Sequence, residues 1–181
     1  MCDGGLIMSP FSLLVSIAQR SRETAYELPQ KTEAVTYWRG VGFMLAGQKF
    51  VAPMGEVGEI LQPPRVTKVP GVRNWVLGVS NIRGRLVPVL DLAGLLGVPS
   101  KANWRARRVL VIGQGDNLNG LMVDSVLGMQ QFPTNEMRNQ MYVEANYASF
   151  VRGGFERDGV NWPIFSFSEL AQAEEFLQVA V

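Results

Sequence analysis

The chain has 181 residues, 47% of them hydrophobic and 18% charged, and 17 basic against 16 acidic side chains leave a net charge of +1. That length and composition suit one folded domain with room for an appendage, and so small a charge gathers neither nucleic acid nor an anionic membrane surface from a distance. With no histidine and a single cysteine, Cys2, the sequence excludes Ser-His-Asp and Cys-His nucleophiles, CxxC zinc sites and an internal disulfide, and leaves only carboxylate, lysine or tyrosine chemistry to an enzyme.

The N-terminal segment MCDGGLIMSPFSLLVSIAQR lacks the basic start and small-residue cleavage site of a secretory signal. No apolar run reaches the roughly 20 residues that span a bilayer. The expectation is a cytoplasmic protein with no direct membrane insertion, its lone thiol suited to a reducing compartment. Ser9-Pro10 supplies a helix cap and first turn, and Phe11, Leu14, Ala18, Ala25 and Leu28 repeat at helical spacing as far as Pro29. A polar link, QKTEA, leads to a second short helical piece over 35–39. Residues 1–40 are thus expected to form a helical extension that docks on the domain or on a partner through its apolar stripe.

From Val41 the period changes to two. VGFMLAGQKFVAP predicts a hairpin turned at Gly47 and Gln48, and EVGEIL and RVTKVP predict two further short strands. WVLGVSNI and RLVPVL form a pair about Arg83-Gly84, after which Asp91 caps a short helix, LAGLL, stopped by Gly97 and Pro99. Within the pair, Pro88 predicts an edge or bulge where no ladder donor is needed. Past the basic loop KANWRARR, VLVIG and LMVDSVLGMQQF are expected to be joined by a turn at Asn119-Gly120, and ASFVRGGFERD and GVNWPIFSF by one at Asp158-Gly159. The last segment, SELAQAEEFLQVAV, predicts a helix capped by Ser168. About ten short strands with Gly/Pro punctuation predict a mainly β protein of small closed or nearly closed barrels, framed by N-terminal and C-terminal helices.

Candidate chemistry is sparse. Gly113, Gly115 and Gly120 match no phosphate-binding loop between strand and helix. Arg105, Arg107 and Arg108 beside Trp104 define the one reading of another class, an SH3-like nucleic-acid binder, against a simply solvated turn. Glu56 and Glu59 sit three apart in an expected strand, which points them to opposite faces and not into one acid/base site. Asp124 reads as a strand-end residue bonded to its surroundings, and the methionines as core filling or an adaptable surface. For Arg83, held beside Gly84 at the end of an apolar strand, two readings stand level: a rigidly mounted guanidinium that recognises another protein, or an internal salt bridge.

LGVSNIRGRLVPVLDL, residues 77–92, closely resembles the signature of the CheW-like chemotaxis coupling proteins, and three further stretches match in order: residues 43–61, 66–78 and 110–129. The resemblance covers about residues 41–170, and PFSLLVSIAQRSRETAYELP with YWRGVGF is similar to the branch that serves type IV pili and twitching motility. It implies two five-stranded SH3-like β-barrels that share a core and leave a hydrophobic groove, with the CheW-like domain spanning 41–181. It also implies a non-enzymatic adaptor without cofactors, joining the cytoplasmic tip of a methyl-accepting chemoreceptor to the regulatory domain of a CheA-type histidine kinase, at receptor arrays on the membrane. Flagellar or other chemosensory coupling is the alternative within the family. Carried over by position, Val57 and Glu59 match a region of partner contacts, and Asn81 and Arg83 the signature associated with receptor coupling; Val87, Pro88 and Asp91 are explained structurally. The extension, Gly58 and Arg85 depart from the minimal pattern.

Overall fold

The computed structural model describes residues 10–23, 36–114 and 117–178. Chain contacts divide it into Met1–Ala34 and Val35–Val181. In the first unit, helix α1 runs Pro10–Glu23 with proline at its first position, and Phe11, Leu13, Leu14 and Ile17 are exposed on it. The expected cap at Ser9, the continuation to Pro29 and the QKTEA link lie outside the described residues, as does Cys2.

Among its described residues the second unit holds ten strands. They are β1 Tyr37–Leu45, β2 Gln48–Pro53, β3 Val57–Leu61, β4 Val76–Ile82, β5 Arg85–Asp91, β6 Arg108–Gln114, β7 Asn117–Val123, β8 Ser125–Pro133, β9 Val151–Arg157 and β10 Val160–Phe165. These form two five-stranded sheets, ordered β8-β1-β2-β10-β9 and β3-β6-β7-β5-β4. The second sheet is one continuous stretch of chain; the first is assembled from both sides of it. Each contains a parallel pair, β2 with β10 and β5 with β7.

Alternation of side chains explains why the runs are apolar on both faces. In β6, Val109 and Val111 point into the second sheet's own interior with Val87, Val89 and Met122. Leu110 and Ile112 point the other way, into a core shared with Phe43, Leu45, Phe50 and Phe165 of the first sheet. The expected common core is therefore real, and aromatic: Phe165 lies 6.0 Å from Phe43, 5.7 Å from Phe50 and 5.2 Å from Phe167, ring centre to ring centre. A second aromatic cluster fills the far side of the first sheet, where Phe132 stacks on Phe155 at 4.5 Å.

Three hairpins turn on two residues with positive φ at both: Ala46-Gly47, Arg83-Gly84 and Asp158-Gly159. This is the geometry that matches strand twist. The first turn falls one residue earlier than expected, because Gln48 already pairs with Leu45.

Other expectations fail for tertiary reasons. Tyr37–Arg39 are not helical; they open β1, pairing Trp38 with Phe132 and so burying an aromatic face that a helix would leave exposed. Asn119-Gly120 is no turn but the middle of β7, opposite Ile112 and Val111. Glycine is needed there for space, since a Cβ would lie 2.9 Å from Val109 Cγ1. RVTKVP contributes only a single bridge, Thr67 to Val79. That bridge also corrects Pro88, whose strand is interior and not an edge. Val79, opposite Pro88, turns its own N–H and C=O outward to Thr67, and the ladder to β7 begins only at Val89, so no donor is missed.

Between the strands, α2 (Leu92–Leu95) is capped as expected by Asp91, whose carboxylate accepts the N–H groups of Ala93 and Gly94. A short helix α3 covers Ala145–Ala148. The C-terminal helix is two pieces, α4 Phe167–Gln172 and α5 Glu174–Leu177, broken at Ala173. Its cap is Ser166, not Ser168: the Ser166 hydroxyl accepts from Glu169 N–H.

Candidate functional site

Two features stand next to each other in the second sheet. One is the charged turn after β4. Arg83 occupies the left-handed region at φ 52°, which a residue with a Cβ enters at a cost of about 1–2 kcal/mol. The turn is braced by Asn81, whose Oδ1 accepts the Gly84 N–H at 2.8 Å. Arg83 Nη2 donates to Glu59 Oε1 at 2.7 Å. Glu59 sits on β3 just past a register shift at Gly58, so this contact joins the opposite edges of the sheet. The Arg83 side chain is nevertheless 79% exposed, leaving most of the guanidinium's donors facing solvent.

Of the four residues singled out from the sequence, the structure thus brings together Glu59, Asn81 and Arg83. Val57 goes elsewhere: it pairs with Ile112 and packs, half-buried, against the shared core. The internal salt bridge and the exposed recognition group, set against each other for Arg83, are both present in one side chain.

The other feature is a groove of about 740 Å³. Leu86 and Pro88 of β5, Ile112 of β6, and Asn117, Leu118 and Asn119 of β7 form one wall; Phe167, Ala171, Phe176 and Leu177 form the facing helical wall. Leu86 is 77% exposed and Leu177 66%, both unusual for leucine beside a concave surface unless something covers them. Sequence reasoning missed Leu86, although an outward-facing position in RLVPVL filled by leucine was the available signal. Glu56, at the end of the groove, was also missed. Its carboxylate accepts from the N–H of Phe167 at 2.5 Å and from the Ser168 hydroxyl at 2.7 Å. It is thereby separate from the Arg83–Glu59 pair, but not for the reason expected: Glu56 lies in the turn before β3 and not in a strand with Glu59.

The basic loop is committed internally. Arg107 is largely buried, with Nη1 3.4 Å from Asp91 Oδ2 and Nη2 3.2 Å from Ser100 Oγ. Ser100 in turn donates to Asp124 at 2.5 Å, which makes Asp124 structural. Arg108 turns back on the carbonyls of Arg105, Ala106 and Arg107. Only Arg105 of the three is fully on the surface, and a one-arginine patch makes a poor phosphate-binding face.

Two five-stranded sheets about a shared core, with a groove and the NIRG turn beside it, define the architecture of a coupling-protein domain, and the CheW-like domain family matches residues 39–175. The chain belongs to the CheW-like family. It is 49% identical over 176 residues, 97% of this chain and 98% of the other, to Protein PilI of Pseudomonas aeruginosa. To Chemotaxis protein CheW of Thermotoga maritima it is 29% identical, over 58% of this chain and 69% of that one. Among solved structures, the scaffolding protein TtCheW from Thermoanaerobacter tengcongensis aligns with a TM-score of 0.64 at 24% identity, over 72% of this chain and 89% of that one; this likeness concerns the fold. No described helix is long and apolar enough to cross a membrane.

Proposed function

We propose that this protein is a non-catalytic scaffold that couples a methyl-accepting chemoreceptor to a CheA-type histidine kinase, in a chemosensory system controlling type IV pili. The observation that carries the reading is the pairing of a strained, exposed Arg83, held by Glu59 and Asn81, with an open apolar groove one strand away. Strain kept at an exposed turn serves recognition better than stability. A groove lined by leucines suits the apolar face of a helix, which is what a coiled-coil receptor tip offers. The near full-length likeness to a pilus-type relative supports that pathway over a flagellar one. In this reading residues 1–40 are an extension peculiar to the branch, 41–181 form the coupling domain, and the protein is cytoplasmic, held at the membrane only through its receptor.

Co-purification from native cytosol tests it: the full chain should retain both a CheA-type kinase and a methyl-accepting receptor. Arg83→Glu should lose the receptor. Retention of neither partner by the unaltered chain would refute the reading.

A further inference from the structure

The groove's helical wall is fastened by a residue more than a hundred positions earlier in the chain. Glu56 lies in the turn that carries the chain from β2 in the first sheet to β3 in the second. Its Oε2 accepts the N–H of Phe167 at 2.5 Å and of Ser168 at 3.4 Å, and its Oε1 accepts the hydroxyls of Ser168 at 2.7 Å and Ser166 at 3.4 Å. Ser166 already caps α4 by accepting from Glu169. A helix of six residues needs no second cap imported from more than a hundred residues away for its own formation. What the carboxylate adds is position.

We propose that Glu56 is a latch that sets the place of the α4–α5 wall, and through it the width of the groove. Two facts give the latch leverage. The wall is anchored in the shared core by Phe167, Leu170 and Phe176, apolar contacts whose driving force is non-directional. And α5 follows α4 through one extended residue, Ala173, at ψ 138°, so the exposed Leu177 goes wherever the start of α4 is pinned. Because Glu56 and Ser168 themselves line the groove, an occupant meets the latch directly. The turn also leads within three residues to Glu59, so the segment that pins the wall is the one that carries the partner of Arg83. Glu56 is a positioning residue and holds no occupant itself.

The inference rests on the groove being a docking site, and the test separates the two. Glu56→Gln exchanges an all-acceptor carboxylate for an amide that offers one acceptor and two donors to a site made of donors. Ser168→Asp sets a second carboxylate against Glu56 while placing an acidic residue in the first turn of α4, where the helix itself is stabilised by it; loss of helix cannot then explain its effect. Hydrogen exchange on the full chain is read at the amides of 167–178 and, as reference, at 43–52. Binding is read with a soluble hairpin-tip fragment of a pilus-type methyl-accepting receptor, and Leu118→Asp, which spoils the opposite wall without touching the latch, reports on the groove.

Both latch variants should speed exchange of 167–178 by about tenfold, the factor expected for one charge-assisted contact, leave 43–52 unchanged, and weaken the fragment several-fold. Unchanged exchange in both overturns the latch. Faster exchange with undiminished binding, where Leu118→Asp abolishes binding, overturns the positioning role. If Leu118→Asp also binds normally, the groove is not the docking site, and exchange alone then decides whether Glu56 holds the wall.

Discussion

Arg83 and Glu59 meet at 2.7 Å although 24 residues and the full width of a five-stranded sheet separate them along the ladder β3-β6-β7-β5-β4. The contact closes the sheet on itself at its rim, with one partner mostly in solvent. An exposed pair of this kind contributes about 0.2–1 kcal/mol, too little to account for a charged residue kept in a left-handed turn.

Arg83→Glu should therefore change thermal stability little, by about a degree or two for a domain of this size, while weakening receptor binding tenfold or more. Reversing both charges, Arg83→Glu with Glu59→Arg, should restore the stability and not the binding. Calorimetry and titration with a receptor-tip fragment on the same preparations give the answer; recovery of binding in the double variant would reduce Arg83 to a structural role.

The strain at φ 52° yields a prediction of opposite sign. Arg83→Asn, which places Asn-Gly in a turn that favours it, should raise stability by about 0.5–1 kcal/mol and still lose the receptor. Chemical denaturation with equal m-values would verify the gain.

Because the two sheets share one core, they should unfold together. Phe165→Ala, emptying a site between Phe43, Phe50 and Phe167, is expected to cost about 3–5 kcal/mol. Fluorescence of Trp75, beside the second sheet, and Trp162, in the first, should report a single midpoint. Two separated transitions would show that the common core does not couple the sheets.

Arg107 and Arg105 should part company. Arg107→Met leaves Asp91 and Ser100 without their buried donor and should destabilise by about 2–3 kcal/mol, whereas Arg105→Ala should fall within about 0.5 kcal/mol of the parent. Neither should alter retention on a nucleic-acid column at physiological salt.

Burial pushes the Tyr147 phenol pKa above its ordinary value, reinforced by the negative charges of Glu144 and Asp124. The folded state then holds the phenolic proton more tightly than the unfolded chain. Stability from this source is complete below about pH 10 and is lost as pH climbs past it toward the raised value. Tyr147→Phe should flatten the alkaline limb of the stability curve, read by denaturant midpoints between pH 9 and 11.

What the sequence disclosed was local chemistry. Asp158-Gly159, Arg83-Gly84 and the Asp91 cap are dictated by neighbouring residues and were readable. Asn119-Gly120 carries the same local signal as a true turn, but the approach of Val109 overrides it, and nothing local records that. Ser166 and Ser168 are equally good caps by composition; the chain turns helical at the first of them, whose hydroxyl accepts from Glu169 N–H. Arg83 could be singled out, yet its bond to Glu59 required the sheet to close. Val57 was grouped with the site by its position in the family resemblance, and the strand's alternation, reset by the shift at Gly58, packs it against the shared core.

The first sheet pairs Val51 of β2 directly with Ile164 of β10, while the second is complete by Val123. On the ribosome, then, the inserted sheet can be finished while the sheet that began first still waits for its last strands, for several seconds at ordinary elongation rates. During that interval Phe43 lacks Phe165 and Phe167, and Phe50 lacks Phe165. The face of the second sheet made by Leu110, Ile112 and Leu121 is the surface at hand to shelter them, so the sheet that carries the charged turn also serves its own chain as the template on which the rest is built.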